Sequence, residues 1–118
     1  MTDVFELVRR GREFRAAGDP SGAARILAEA VEAVPEDRAV LTELALAHFH
    51  SASLGNAERV LRSLVELDPS DGYARLLLGR TLSRQSRHAE ALPELRLAYA
   101  LTQDADVASE VVRVEARV

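Results

Sequence analysis

The sequence predicts an all-α fold built from stacked helical repeats. The stretch VEAVPED at residues 31–37 returns as VELDPSD at residues 65–71, with every matching residue displaced by 34 positions. A fixed period of this length is typical of architectures in which each repeat is one supersecondary unit. Within each period apolar residues recur at spacings of three and four, which is the period of an amphipathic helix and not that of a strand.

Blocks of 34 residues with both prolines at block position 32 cover residues 4–37, 38–71 and 72–105, and leave a remainder at 106–118. We interpret the whole chain, 1–118, as a single domain. Small or leucine side chains recur at fixed places in the blocks, where they would let neighbouring helices approach closely. They occupy block position 8 (Gly11, Ala45, Gly79), position 20 (Ala23, Ala57, Ala91) and position 24 (Leu27, Leu61, Leu95).

Each block predicts two helices, and the first block shows the signals most clearly. Asp3 and Glu6 have the spacing of a capping box, and Gly18 is placed to close the first helix. Asp19 is placed to cap the second helix, while Pro20 occupies its first position, where the missing N–H is tolerated.

The other two blocks repeat this pair of patterns in the stretches ALTELALAHFH, AERVLRSLVEL, ARLLLGRTL and AEALPELRLAYAL. Pro93 falls inside the sixth predicted helix, where an interior proline ordinarily costs about 3 kcal/mol and bends the axis. We retain that helix, with a local kink, because Leu92 and Leu95 still fit its apolar face.

The remainder, DVASEVVRVEARV, predicts a seventh, amphipathic helix with Val107, Val111, Val114 and Val118 on one face. We interpret it as the polar-backed cap that a terminal repeat requires. The alternative is that its valine face pairs with a second copy of the chain.

The period of 34, the small residue at block position 8, the alanine at position 20 and the proline at position 32 resemble the tetratricopeptide repeat. The resemblance covers about nine-tenths of the chain. It implies a right-handed α-superhelix, an α-solenoid of three helical hairpins plus one capping helix, with about seven helices in all. Departures are Arg75 at the usually bulky position 4, His48 and Leu82 at the usually aromatic position 11, and Gln103 in place of a third proline.

The resemblance also implies that the first helix of each hairpin lines a concave groove for a peptide or a helix. Aromatic and arginine side chains dominate binding hot spots, and we expect both at this surface. The candidate groove residues are Phe5, Val8, Arg12, Arg15, Thr42, Leu46, Phe49, His50, Tyr73, Leu76, Arg80 and Arg84.

Within this set, the predicted anchors are Phe49, Tyr73 and Leu76, and the predicted steering charges are Arg12, Arg80 and Arg84. The alternative for single residues is that Phe5 and Leu46 belong to the core and that the arginines only solvate the surface.

These residues predict a protein–protein interaction adaptor that binds a short peptide or helix, apolar with acidic character. The alternative is a self-associating module, a homodimer through the C-terminal or the N-terminal helix. The family members that grip a chaperone's C-terminal carboxylate use residues whose places here are Val8, Arg12, Glu43, Tyr73 and Leu77. Only Arg12 could contribute, so we expect no such clamp.

Composition excludes several other classes. The formal net charge of −4 and the absence of stacking aromatics beside the arginines argue against nucleic acid, and no long apolar run indicates a membrane span. The lack of cysteine and of any targeting signal favours the cytoplasm. No phosphate loop, nucleophile elbow or metal-binding helix occurs, and His48, His50 and His88 are poorly spaced for one ion, so we expect no enzyme, cofactor or metal.

Overall fold

The computed structural model describes residues 3–118 and places them in seven α-helices, with no strand in that range, which confirms the predicted all-α repeat fold. Contacts divide the chain into two compact units, the first ending at Val60 and the second comprising Leu61–Val118. The boundary lies inside the fourth helix. The helices are α1 (Val4–Ala16), α2 (Pro20–Ala33), α3 (Arg38–His50), α4 (Leu54–Leu67), α5 (Gly72–Arg84), α6 (His88–Thr102) and α7 (Ala105–Glu115).

Aspartates start the first helix of each hairpin in the same way. The carboxylates of Asp3, Asp37 and Asp71, each 34 residues apart, accept hydrogen bonds from backbone N–H groups at 3.0, 3.1 and 3.0 Å. Asp104 caps α7 in the same manner, at 2.8 Å. These carboxylates occupy otherwise unpaired N–H groups at the positive end of the helix, so their role is structural capping.

The three turns inside the hairpins share one backbone geometry. Gly18, Ala52 and Ser86, again 34 residues apart, have φ angles of 82°, 59° and 62°, in the left-handed region. In each turn the following residue donates its backbone N–H to the carbonyl five residues earlier, at 2.8, 2.9 and 3.0 Å. This is a Schellman motif. Only Gly18 announces it in the sequence, because alanine and serine adopt this conformation at a cost of roughly 1–2 kcal/mol.

Glycine at block position 8 lets two helices approach each other in both units. A Cβ built on Gly11 would lie 2.7 Å from Leu27 Cγ, and one built on Gly79 would lie 2.6 Å from Leu95 Cδ2. Both leucines are almost completely buried. The recurrence of small residues at position 8 and leucine at position 24 therefore reflects one helix-packing contact.

Arg75 explains how the third block departs from the usual bulky residue at position 4. Its Nη1 pairs with the Glu94 carboxylate at 3.0 Å, and its Nε donates to the Pro69 carbonyl at 3.2 Å. Both charged side chains are largely buried. The aliphatic stem can thus pack within the second unit while the charge remains satisfied.

The seventh helix, α7, packs on α6 in the second unit. Val107 and Val114 from its predicted valine face are buried, Val111 is half-buried and Val118 is exposed. Most of that face is therefore covered by the chain itself, as the cap interpretation requires.

We predict that Gly79→Ala lowers the free energy of unfolding. Overpacking against Leu95 costs about 1–3 kcal/mol, whereas removing a helical glycine returns about 1 kcal/mol. The expected net loss is about 1 kcal/mol, which chemical denaturation would measure.

Gly55→Ala is the matched control, because a Cβ on this α4 glycine would meet no atom within 4 Å. That variant should be as stable as the parent or slightly more stable. Equal stability of Gly79→Ala and Gly55→Ala would contradict the packing argument.

Candidate functional site

The first unit contains an open apolar cavity of about 670 Å³, here called the N-terminal cavity. Phe5, the most notable residue at its edge, is 89% exposed. The predicted groove residues Phe5, Val8 and Arg12 all line this cavity, so the structure brings these three together. The lining comprises Val4, Phe5, Val8, Arg9, Arg12, Glu13, Ala16, Val34, Asp37, Ala39, Val40 and Glu43.

Glu43 neutralises the two predicted groove arginines of this unit. Its carboxylate pairs with Arg12 at 3.0 Å and with Arg15 at 3.1 Å, and its side chain is only 15% exposed. Nearby, Arg9 pairs with Glu6 and Glu13 along α1, and hydrogen bonding to Glu6 raises the pKa of Arg9 above its ordinary value. The basic side chains at this cavity are therefore already engaged with acids.

The other candidate residues of the first unit lie on α3 and do not line the N-terminal cavity. The Thr42 hydroxyl donates to the Arg38 carbonyl at 2.8 Å. Phe49 and His50 make an edge-to-face contact, with ring centroids 5.6 Å apart. Leu46 and Phe49 are half-buried and His50 is exposed, so these side chains form a separate, mixed surface.

In the second unit the two apolar candidates differ in accessibility. Tyr73 is 46% exposed at the start of α5, whereas Leu76 is 8% exposed. Leu76 therefore packs inward and offers little surface to a ligand.

The predicted Arg80 and Arg84 lie together at a second cavity, of about 360 Å³, here called the arginine cavity. Two more arginines, Arg113 and Arg117 of the C-terminal segment, also line it. The sequence gave no functional signal for this second pair, because the segment was aligned as a cap. The lining comprises Arg80, Ser83, Arg84, Ser86, His88, Leu95, Glu110, Arg113, Val114 and Arg117.

One acid, Glu110, lies among these arginines. Its Oε1 accepts from Arg80 Nε at 2.8 Å, and Arg113 Nη2 lies 3.8 Å away. Its Oε2 is buried and has no hydrogen-bond partner in residues 3–118. Arg80 is 68 residues from Arg12, so the two units repeat the same arginine-to-glutamate contact between first helices, at 2.8 and 3.0 Å.

His48 lies half-buried at the end of α3, beside a shallow cavity of about 380 Å³. Burial, and secondarily the charge of Arg59, lower the pKa of His48 below its ordinary value. Position 11 thus holds a neutral, packed imidazole where the repeat usually has an aromatic ring.

Metal and membrane features were sought over the described range. Residues 3–118 contain no group of three or more histidine or acidic side chains that could hold a metal ion. Over the same range, every helix is too short or too polar to traverse a lipid bilayer.

Comparison with known proteins gives a consistent picture of the fold. A family model described as tetratricopeptide repeat matches residues 8–72 and 53–106. Human aspartyl/asparaginyl beta-hydroxylase is 27% identical over 92 residues, which are 78% of this chain but only 12% of that protein. The chain therefore spans about an eighth of that relative's length.

Three solved structures illustrate the structural likeness. The Arabidopsis OM64 TPR domain has a TM-score of 0.89 at 17% identity, covering 98% of this chain and 96% of that one. The first TPR of Spaghetti (RPAP3), bound to the HSP90 peptide SRMEEVD, scores 0.88 at 18% identity, covering 95% and 90%. MamA scores 0.87 at 24% identity, covering 94% and 61%. At these identities the likeness establishes the fold alone.

We predict that the unfolding free energy falls as the pH drops below about 6.5, in part through His48. Because its pKa is lower in the folded chain, the unfolded chain binds more protons in this window, and protonation favours unfolding. The contribution is present in full above about pH 6.5 and is lost as the pH falls through the lower pKa of the folded state. Denaturation of the parent and of His48→Gln between pH 7.5 and 5 should show a flatter dependence for the variant. Parallel curves would contradict a packed neutral His48.

Proposed function

Since the chain belongs to the tetratricopeptide repeat family, we propose that it is a protein–protein interaction adaptor that binds a peptide or helical segment of a partner protein. The mechanism is presentation of a shaped surface, without catalytic turnover. The beta-hydroxylase likeness covers 12% of that protein, so we carry no hydroxylase activity over to this chain. The peptide bound in the RPAP3 structure supports peptide recognition as a role for this fold.

The observation that carries the proposal is Phe5, an aromatic side chain 89% exposed at the edge of an apolar cavity of about 670 Å³. Exposing a phenylalanine to water is unfavourable, and aromatic side chains beside apolar pockets are common binding hot spots. We assign Phe5 the anchor role in the first unit, with Val8 in the cavity wall.

In the second unit, Tyr73 is the accessible aromatic anchor, and Arg80 and Arg84 supply charge. Phe49 remains a proposed anchor on the separate α3 surface, with Thr42, Leu46 and His50 beside it. Leu76 contributes little, because it is buried.

The alternative, self-association through the N-terminal helix, has the same Phe5 as its supporting observation. Sedimentation of the isolated chain at several concentrations separates the two functions. A concentration-dependent dimer that Phe5→Ala converts to a monomer would favour self-association over peptide binding.

We predict that Phe5→Ala weakens binding of peptides selected on this chain from a random phage-displayed library. The loss should be about tenfold or more, because removing an aromatic hot spot costs about 2 kcal/mol. Fluorescence anisotropy with labelled peptides measures it. Leu97→Ala is the control, since Leu97 is also partly exposed but lines neither cavity. Equal affinity of the parent and both variants for every selected peptide would refute the anchor role.

The HSP90 peptide SRMEEVD serves as a negative arm of that experiment. Val8, Glu43, Tyr73 and Leu77 provide no cation at the places used by the chaperone-tail clamp, and Arg12 is paired with Glu43. We expect SRMEEVD to bind no better than its scrambled sequence.

We also predict that replacing Arg80 and Arg84 together by glutamate slows association with acidic selected peptides by roughly tenfold at low salt and removes the salt dependence of the rate. Stopped-flow fluorescence measures both. Arg10 and Arg25, exposed on the first unit, provide a double glutamate control with the same net charge change. If both double variants alter the rate equally, the effect belongs to net charge and not to a site.

A further inference from the structure

We propose that the arginine cavity is a subsite for an acidic side chain of the partner protein, and that Glu110 is a built-in competitor for it. This inference rests on the proposed function and specifies the chemistry of the ligand.

The charges of the two cavities indicate which of them receives an acidic segment. The arginine cavity has four arginines against one glutamate in its lining. The N-terminal cavity has two arginines against three acids. Although the whole chain is acidic, with a formal charge of −4, the arginine cavity is therefore locally basic. Local charge complementarity directs an acidic segment to the second unit.

Glu110 shows what kind of group the cavity accepts. Its carboxylate is largely buried, with 17% of the side chain exposed, and one oxygen accepts from Arg80 at 2.8 Å. A carboxylate fits this cavity because guanidinium groups match its geometry and charge. The chain thus contains, in cis, the contact that we propose a partner makes in trans.

The contact with Glu110 leaves the cavity incompletely neutralised. Only Oε1 is hydrogen-bonded, and Arg113 Nη2 is 3.8 Å away, beyond hydrogen-bond length. A ligand carboxylate placed beside Glu110 could accept from Arg113 and Arg84 while Arg80 stays with Glu110. The negative charge of Glu110 opposes this arrangement, so Glu110 lowers the affinity and confines binding to segments with strong acidic character.

The cavity favours a peptide over a nucleic acid. Its volume of about 360 Å³ accommodates one or two side chains, and no aromatic ring other than the His88 imidazole stands in its lining for bases to stack on. A polyanion would also meet the repulsion of a net acidic chain.

The test measures binding of fluorescein-labelled hexaglutamate to the intact chain by anisotropy, with hexaglutamine as the uncharged control. Glu110→Gln keeps the side-chain size and removes the competing charge, so we expect hexaglutamate to bind about fivefold or more tightly. Glu115→Gln is the matched control. It makes the same charge change on the same helix, where Glu115 pairs with Arg96 at 2.9 Å and does not line the cavity. Equal affinities of Glu110→Gln and Glu115→Gln would overturn the competitor role.

A measurement on the unaltered chain keeps the proposal falsifiable if Glu110→Gln folds poorly. Hexaglutamate should shift the NMR signals of the Arg84 and Arg113 Nε–H groups and leave that of Arg25, in the first unit, in place. Absence of shifts at Arg84 and Arg113 at millimolar hexaglutamate would overturn the subsite.

Two further arms separate this subsite from neighbouring ideas. Tripolyphosphate or an oligothymidine that binds the cavity more tightly than hexaglutamate would overturn the assignment to an acidic peptide. Library peptides that lack acidic residues, yet bind with full affinity, would leave the adaptor function standing and remove the subsite. Hexaglutamate binding without any selected library peptide would support the subsite and contradict the adaptor function.

Discussion

The contact between a bare helix backbone and a buried leucine sets the geometry of both units. Gly11 faces Leu27 and Gly79 faces Leu95, at distances that leave no room for a methyl group. Protein interiors are packed densely enough that such a gap, once closed, fixes the separation of the two helices. The surfaces that carry the cavities are positioned by this separation, because their side chains project from the first helix of each pair.

Most of the fold could be predicted because its signals are local and repeated. Proline and aspartate at fixed intervals gave the helix starts, and the apolar spacing gave the buried faces. The turns at Ala52 and Ser86 could not be recognised, since neither residue favours a left-handed conformation and only the alignment with Gly18 relates them. Continuous helix through Pro93 was predictable from its neighbours, because Leu92 and Leu95 retain the apolar stripe.

The candidate surfaces were less predictable, for a physical reason. A family position indicates which face of a helix a residue occupies, but the depth of burial depends on its neighbours, as Leu76 demonstrates. Pairing of charges depends on atoms from distant parts of the chain, so the engagement of Arg12 with Glu43 was beyond sequence reasoning. Arg113 was missed for a related reason: a residue interpreted as the solvent side of a cap became one wall of a cavity.

The order of packing has a consequence for how the chain acquires its structure. Within each unit, α2 packs on α1 and α3, and α6 packs on α5 and α7, so that stabilising contacts join segments adjacent in sequence. Low contact order of this kind spares the chain the entropic cost of closing long loops before any contact rewards it. Each hairpin should therefore assemble rapidly, on the microsecond to millisecond timescale of helical proteins. Newly synthesised hairpins can thus hide their apolar surface early and limit the time in which it could drive aggregation.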